Sequence, residues 1–176
     1  MIEIQTPISE EVIKKLRIKD EILIKGVIYT GRDAVLPKLV GYYEKGNLSS
    51  LNVNLKGSVI FHTAVSRAGI GPTSSNKLDI ESSIPILSKA GVKIHLGKGS
   101  LGEDTVEALK NNNSIFAITP PVTALMLARI TSKRVAAFAE EGMEAMHELV
   151  VEGIPAIVAI AGGESIFHSS KKGRNL

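Results

Sequence analysis

The chain has 176 residues, 44% hydrophobic and 22% charged, and its 21 Lys+Arg exceed its 18 Asp+Glu by a formal charge of +3. A chain of this length buries roughly two thirds of its unfolded surface and suits one folded domain, while the composition excludes a disordered segment, a collagen-like fibre and a coiled coil. With three Tyr, four Phe and no Trp for base stacking, and no basic helix, the mild positive charge points to a small anion rather than to nucleic acid.

No apolar stretch approaches the ~18–20 residues of a membrane helix. Met1-Ile2-Glu3-Ile4 carries an acid where a secretory leader carries basic residues, so the expected location is the cytoplasm. The chain has no cysteine, which excludes disulfides, thiolate nucleophiles, zinc ribbons and a self-held iron–sulfur cluster of the usual kind. His62, His95, His147 and His168 never fall at i,i+4, so no local metal motif exists and they read as scattered core or surface residues.

In chain order, Ser9-Glu10-Glu11 offers a cap and two acids ahead of Val12, Ile13 and Leu16 on one helical face. Ile22–Ile24 and Val27–Tyr29 flank Lys25-Gly26 as a strand, a turn and a second strand. Gly31-Arg32-Asp33 then breaks the chain, and Asp33 is placed to cap a helix that runs to about Glu44, with Pro37 in its first turn and Gly46 at its stop. A strand follows at Val59–His62, a Gly/Pro/Ser/Thr loop at Ala68–Asn76, and a helix near Ser82–Ala90. The pattern next gives a strand at Val92–Leu96, a helix at Asp104–Lys110, a strand at Ile115–Ile118, a helix at Val122–Ile130 and a strand at Val135–Ala139. Leu149–Val151 and Ala156–Ile160 read as two strands joined through Gly153, and Lys171-Lys172-Gly173-Arg174 as a solvated terminus. With no repeat or linker, the expectation is one α/β domain over residues 1–176, a sheet flanked by helices.

Three glycine-punctuated loops each follow a predicted strand and each carries a cation: Thr30-Gly31-Arg32-Asp33, Gly69–Lys77 and Gly97-Lys98-Gly99-Ser100. Strand ends are where α/β folds place ligands, glycines expose backbone N–H groups to an anion, and arginine offers a planar fork to a carboxylate. Together they suggest a dicarboxylate or phosphate site. Taken singly, each has a plainer explanation as a tight turn, a helix cap or a surface loop, and Gly97–Ser100 lacks the earlier glycine of a P-loop.

Four motifs occur in order: Ile28-Tyr29-Thr30-Gly31-Arg32-Asp33-Ala34, Gly71-Pro72-Thr73-Ser74-Ser75-Asn76-Lys77-Leu78-Asp79, Gly97-Lys98-Gly99 and Gly142-Met143-Glu144-Ala145. Over about residues 6–160 this set resembles the β subunit, or C-terminal domain, of the iron–sulfur hydro-lyases, the class I fumarases and L-tartrate dehydratases. The resemblance implies a swivelling β/β/α fold and half of a hydratase that acts on a C4 dicarboxylate such as fumarate or malate. It implies that a partner α subunit holds a [4Fe–4S] cluster, with assembly as a homo-oligomer or an α2β2-type complex and no contact with nucleic acid or membrane.

Carried over by motif, the resemblance implies that Arg32 binds a substrate carboxylate and that Asp33 orients it. Thr73 is implied in proton transfer, where its hydroxyl needs a partner to act as a base, and Lys98 pairs with substrate or lowers that hydroxyl's pKa. Gly71, Ser74, Lys77 and Gly97 complete the implied substrate-binding set, and no metal ligand falls on this chain. Five positions depart from the family pattern. Leu36 stands in place of histidine, Lys77 in place of arginine, Thr63-Ala64 in place of Gly-Pro, and Ala161 in place of aspartate. A lysine keeps arginine's charge without its fork. Two alternatives stand beside this reading: a diverged, non-catalytic anion-binding or partner subunit of the same fold, and an unrelated phosphate-binding α/β domain.

Overall fold

The computed structural model describes residues 1–66, 69–70, 77–120 and 128–168. Its strands are β1 (Ile2–Gln5), β2 (Glu21–Thr30), β3 (Ser58–Phe61), β4 (Val65–Ser66), β5 (Gly69–Ile70), β6 (Val92–Gly97), β7 (Ile115–Ile118), β8 (Ile130–Ala137), β9 (Met146–Ala161) and β10 (Glu164–Ser165). Its α-helices are α1 (Glu10–Lys15), α2 (Leu36–Glu44), α3 (Lys77–Lys89) and α4 (Glu103–Asn111), with 3-10 turns at Leu48–Ser50 and Ala139–Glu144.

Parallel pairing runs β1–β2–β3–β6–β7. The sixteen-residue β9 then closes a ring of five strands, pairing antiparallel with β2 on one edge and with β7 on the other. β8 continues β9's second edge beyond β7, and β10 adds a short antiparallel strand. The chain is thus mixed α/β with an eight-stranded sheet.

Closure gives the sheet an inside and an outside, each with its own core. Alternate residues Ile22, Ile24, Ile28, Val59, Phe61, Ile94, Leu96 and Val158 fill the ring, where Ile13 of α1 and Leu16, its C-cap, are added. The opposite faces, with Ile60, Phe116 and Ile160, pack against Leu36 and Leu39 of α2, Ile84 and Leu87 of α3, and Val106 and Leu109 of α4.

Several expected boundaries move, each for a local reason. Ile22–Tyr29 is one strand rather than two, because Gly26 (φ 100°) is absorbed as a bulge within continuous pairing to β9. Leu149–Val151 and Ala156–Ile160 likewise merge into β9, since β2 pairs along both halves. Asp33 does not cap α2, whose N-cap is Val35 with no side-chain bond, although Pro37 does lie in its first turn. α3 starts at Lys77, earlier than the periodicity predicts, and contains Pro85. Ala128-Arg129 form a turn and Ile130 opens β8 instead of ending a helix, while residues 122–127 of that expected helix lie outside the described residues. By contrast Ser9 caps α1 as expected, its Oγ accepting from Val12 N.

Ile94 sits inside the ring with no exposed surface, whereas Val135 on β8 is exposed. Ile94→Ala should cost about 2–5 kcal/mol by creating a cavity, and Val135→Ala within about 0.5 kcal/mol. Urea unfolding followed by circular dichroism measures both; equal midpoint shifts would contradict a closed, packed ring.

Candidate functional site

The parallel strands end in register. Thr30 pairs with Phe61, Phe61 with Leu96, and Leu96 with Ala117. Gly31 N donates to Phe61 O and His62 N to Leu96 O, so the segments that follow β2, β3 and β6 leave from one edge of the ring. Arg32, Asp33, Gly97 and Lys98 therefore share that edge. The β2 and β6 loops stand two strand spacings apart, about 10 Å. α3 returns from this edge to the start of β6, which places Lys77 at its opening there. Glu81 ties the same end of α3 to the segment after Lys98, accepting from Gly102 N and Thr105 Oγ1. Gly71, Thr73 and Ser74 lie outside the described residues.

Arg32 is the most constrained of these cations. Its side chain is 18% exposed, and its Nη2 forms an ion pair with Glu144 Oε1 at 2.8 Å. Its Nε lies 3.8 Å from Asp33 Oδ1, an ion-pair distance too long for a hydrogen bond. Arg32 Nε and Asp33 Oδ1 are both buried, and neither has a hydrogen-bond partner among the described residues. An unpaired buried group of this kind costs about 1–3 kcal/mol, so the guanidinium is held but not satisfied. Lys98, by contrast, is exposed.

Glu144 is the site residue that sequence reasoning missed, although its motif, Gly142-Met143-Glu144-Ala145, is part of the ordered set. It ends the 3-10 turn Ala139–Glu144, which crosses the edge just before β9 begins. Lys38 of α2 anchors that turn, donating to Glu141 Oε1 at 2.6 Å and Glu140 Oε1 at 3.2 Å. Those two bonds, Glu141's first, raise the Lys38 pKa. Phe138 packs edge-on against Tyr42, with ring centroids 5.7 Å apart, and under Lys38 Nζ.

Spacing also hid a histidine pair. His62, just past β3, and His95, on β6, have ring centroids 5.7 Å apart, beside Phe116. Gly97 makes room for them: a Cβ there would meet His62 Nδ1 and the Phe116 ring at 3.2 Å. His95 Nε2 shares a 2.8 Å hydrogen bond with Ser88 Oγ, while His95 Nδ1 and His62 Nε2 have no partner among the described residues. No group of three or more His, Cys, Asp or Glu among the described residues is placed to hold a metal. A chain without thiolates does not fit an iron–sulfur cluster as its ligand set.

A cleft of about 820 Å³ opens at the opposite edge, between Ser9, Gly57, Gly91 and Asn112. It is remote from Arg32, and its buried cation, Lys93, already contacts Asn112 O at 3.1 Å and Glu10 Oε1 at 3.5 Å. Arg32, Asp33, Gly97 and Lys98 lie at the other edge, where β2 and β6 end.

Fold and site together define an α/β domain that presents cations from one edge of a closed sheet. The chain belongs to the fumarase C-terminus family, whose model matches residues 1–170. It is 26% identical over 180 residues to a putative L(+)-tartrate dehydratase subunit beta of Methanocaldococcus jannaschii, covering 94% of this chain and 90% of that protein. It is 31% identical over 126 residues to a putative fumarate hydratase class I of Geobacillus stearothermophilus, covering 66% of this chain and 23% of that protein. An L(+)-tartrate dehydratase subunit beta of Escherichia coli K12 is 27% identical over 132 residues, covering 70% of this chain and 63% of that subunit. The chain thus spans under a quarter of the Geobacillus relative and nearly the whole of the Methanocaldococcus subunit.

The buried histidines make stability depend on pH. Burial lowers the His62 pKa from 6.5 to about 4, and burial with His62 nearby lowers that of His95. Below pH 6.5 the unfolded chain takes up protons that the folded chain refuses, so stability rises with pH through this window and is lost as pH falls from 6.5 toward 4. For His62 the loss reaches about 3 kcal/mol at pH 4. His62→Gln and His95→Gln should each flatten the profile of urea midpoint against pH relative to wild type. Parallel profiles would mean that the two rings are not buried as neutral groups.

Proposed function

We propose that the chain is the β subunit of an iron–sulfur-dependent hydro-lyase that reversibly hydrates a C4 dicarboxylate such as fumarate. In this reading it is one swivelling β/β/α domain of a cytoplasmic enzyme, assembled with an α subunit that carries the [4Fe–4S] cluster, and active only with it. The observation that carries the reading is the half-paired, half-buried guanidinium of Arg32, with its Nε unsatisfied, set on the same edge as Gly97-Lys98-Gly99 in a chain of this family. A carboxylate is the ligand whose two oxygens match such a fork.

The chain's own residues would then divide the work. Arg32 binds a substrate carboxylate, with Asp33 beside its Nε. Lys98 offsets negative charge that accumulates when a proton leaves the carbon next to that carboxylate. Thr73 takes part in that proton transfer with a partner group that strengthens its hydroxyl, while Gly71, Ser74, Lys77 and Gly97 line the substrate.

Anaerobic co-expression with the α subunit should give an assembly that hydrates fumarate or dehydrates tartrate, followed by absorbance. Dicarboxylate binding without turnover would instead favour the diverged, non-catalytic member. In the active assembly, Arg32→Lys keeps the charge but loses the fork, so KM should rise about ten- to a hundredfold. Thr73→Val should depress kcat by about 10²–10⁴-fold with little change in KM. Normal turnover in Thr73→Val would leave that residue a turn former, and normal affinity in Arg32→Lys would leave the arginine a surface cation.

A further inference from the structure

We propose that Glu144 is a positioning residue that fixes Arg32 for the substrate carboxylate; the proposal rests on reading Arg32 as the carboxylate-binding arginine. Three acids lie on one short turn, but they face different ways. Glu140 and Glu141 both turn to Lys38, and Glu144 turns to Arg32. The first pair holds the turn to α2, so the third acid meets the arginine from a fixed base.

The ring fixes the other side of the contact. Tyr29 pairs with Glu148 across β2 and β9, and His147 N donates to the buried Thr30 Oγ1 at 3.1 Å. Arg32 and Glu144 lie two and three residues beyond that hydrogen bond, so their spacing is set by strand register. Only Nη2 of the guanidinium meets Glu144, and Nε meets Asp33 at 3.8 Å without a hydrogen bond. A one-point clamp orients the planar group yet leaves donors for a second carboxylate. A bidentate pair would have consumed a whole fork. With two carboxylates already beside it, Arg32 offers directed donors more than net charge, so its orientation decides how well a substrate is held.

The test uses the assembled enzyme and two variants. Glu144→Gln keeps the length and an acceptor oxygen but loses the charge; Glu144→Ala loses both. KM for fumarate should rise about tenfold in Glu144→Ala and less in Glu144→Gln, with kcat within about threefold of wild type. In an Arg32→Ala background, Glu144→Ala should add nothing further to KM. An equal KM effect with and without Arg32, or a fall in kcat at unchanged KM, would overturn the proposal. The 15N-labelled full chain supplies a readout that needs no activity: the Arg32 Nε–H resonance should be sharp in wild type and broadened in Glu144→Ala. If the assembly hydrates no dicarboxylate, the hydro-lyase reading fails on its own. An Arg32 resonance unchanged in Glu144→Ala overturns the role of Glu144 whatever the activity.

Discussion

Strand β9 is the constraint on which the other features depend. Without β9, the five parallel strands would form an open sheet in which β2 and β7 each lack a partner on one side. Sixteen residues running antiparallel to both close that sheet, and closure creates the interior that Ile22, Ile24, Ile94 and Leu96 fill. The same strand must enter at the edge where the parallel strands end. Whatever precedes β9 is therefore delivered to the Arg32 loop, and the segment delivered is the acidic turn Ala139–Glu144.

This geometry explains an arginine that is immobilised but not satisfied. Had Arg32 been fully exposed, water would satisfy it and its rotamer would be free. Had it been paired in a bidentate bridge, the bridge would compete with any ligand. One short contact to Glu144 and one long approach to Asp33 hold the group between those limits. The turn that makes this possible is stabilised elsewhere, by Lys38 and by Phe138 against Tyr42.

Much of the fold was legible because it rests on local signals. Short, continuous apolar runs marked β3, β6 and β7, and capping marked α1. Ring closure was not legible, because periodicity carries no information about which strands meet. Gly26 and Gly153 each read as turns between short strands, yet both lie within strands whose long-range pairing overrides the glycine signal. The common edge of Arg32, Asp33, Gly97 and Lys98 was legible, because glycine-punctuated loops after strands β2 and β6 place them together. Glu144 escaped because an acid in a turn is normally a solvated or capping residue, and only the β2–β9 register brings it to Arg32. The His62–His95 pair escaped for the same reason: 33 residues apart in sequence, they become neighbours through β3–β6 pairing.

The departures from the family pattern can be weighed from their surroundings. Leu36 is fully buried in the helix-side core, and a Cβ on Gly31 would meet its Cδ2 at 2.8 Å. The base of the Arg32 loop is thus apolar packing, and a polar ring there would need a partner that this core does not offer. Ala161 is buried at the end of β9, where it pairs with Glu164 of β10. Both departures exchange a polar side chain for core contact, so neither position offers a polar group at this edge. Exposed cations bind a carboxylate weakly while water competes for it. A partner surface that covered this edge would exclude that water and strengthen each charged contact. Coverage of this edge and the strength of a charged contact made there are then set by the same physics.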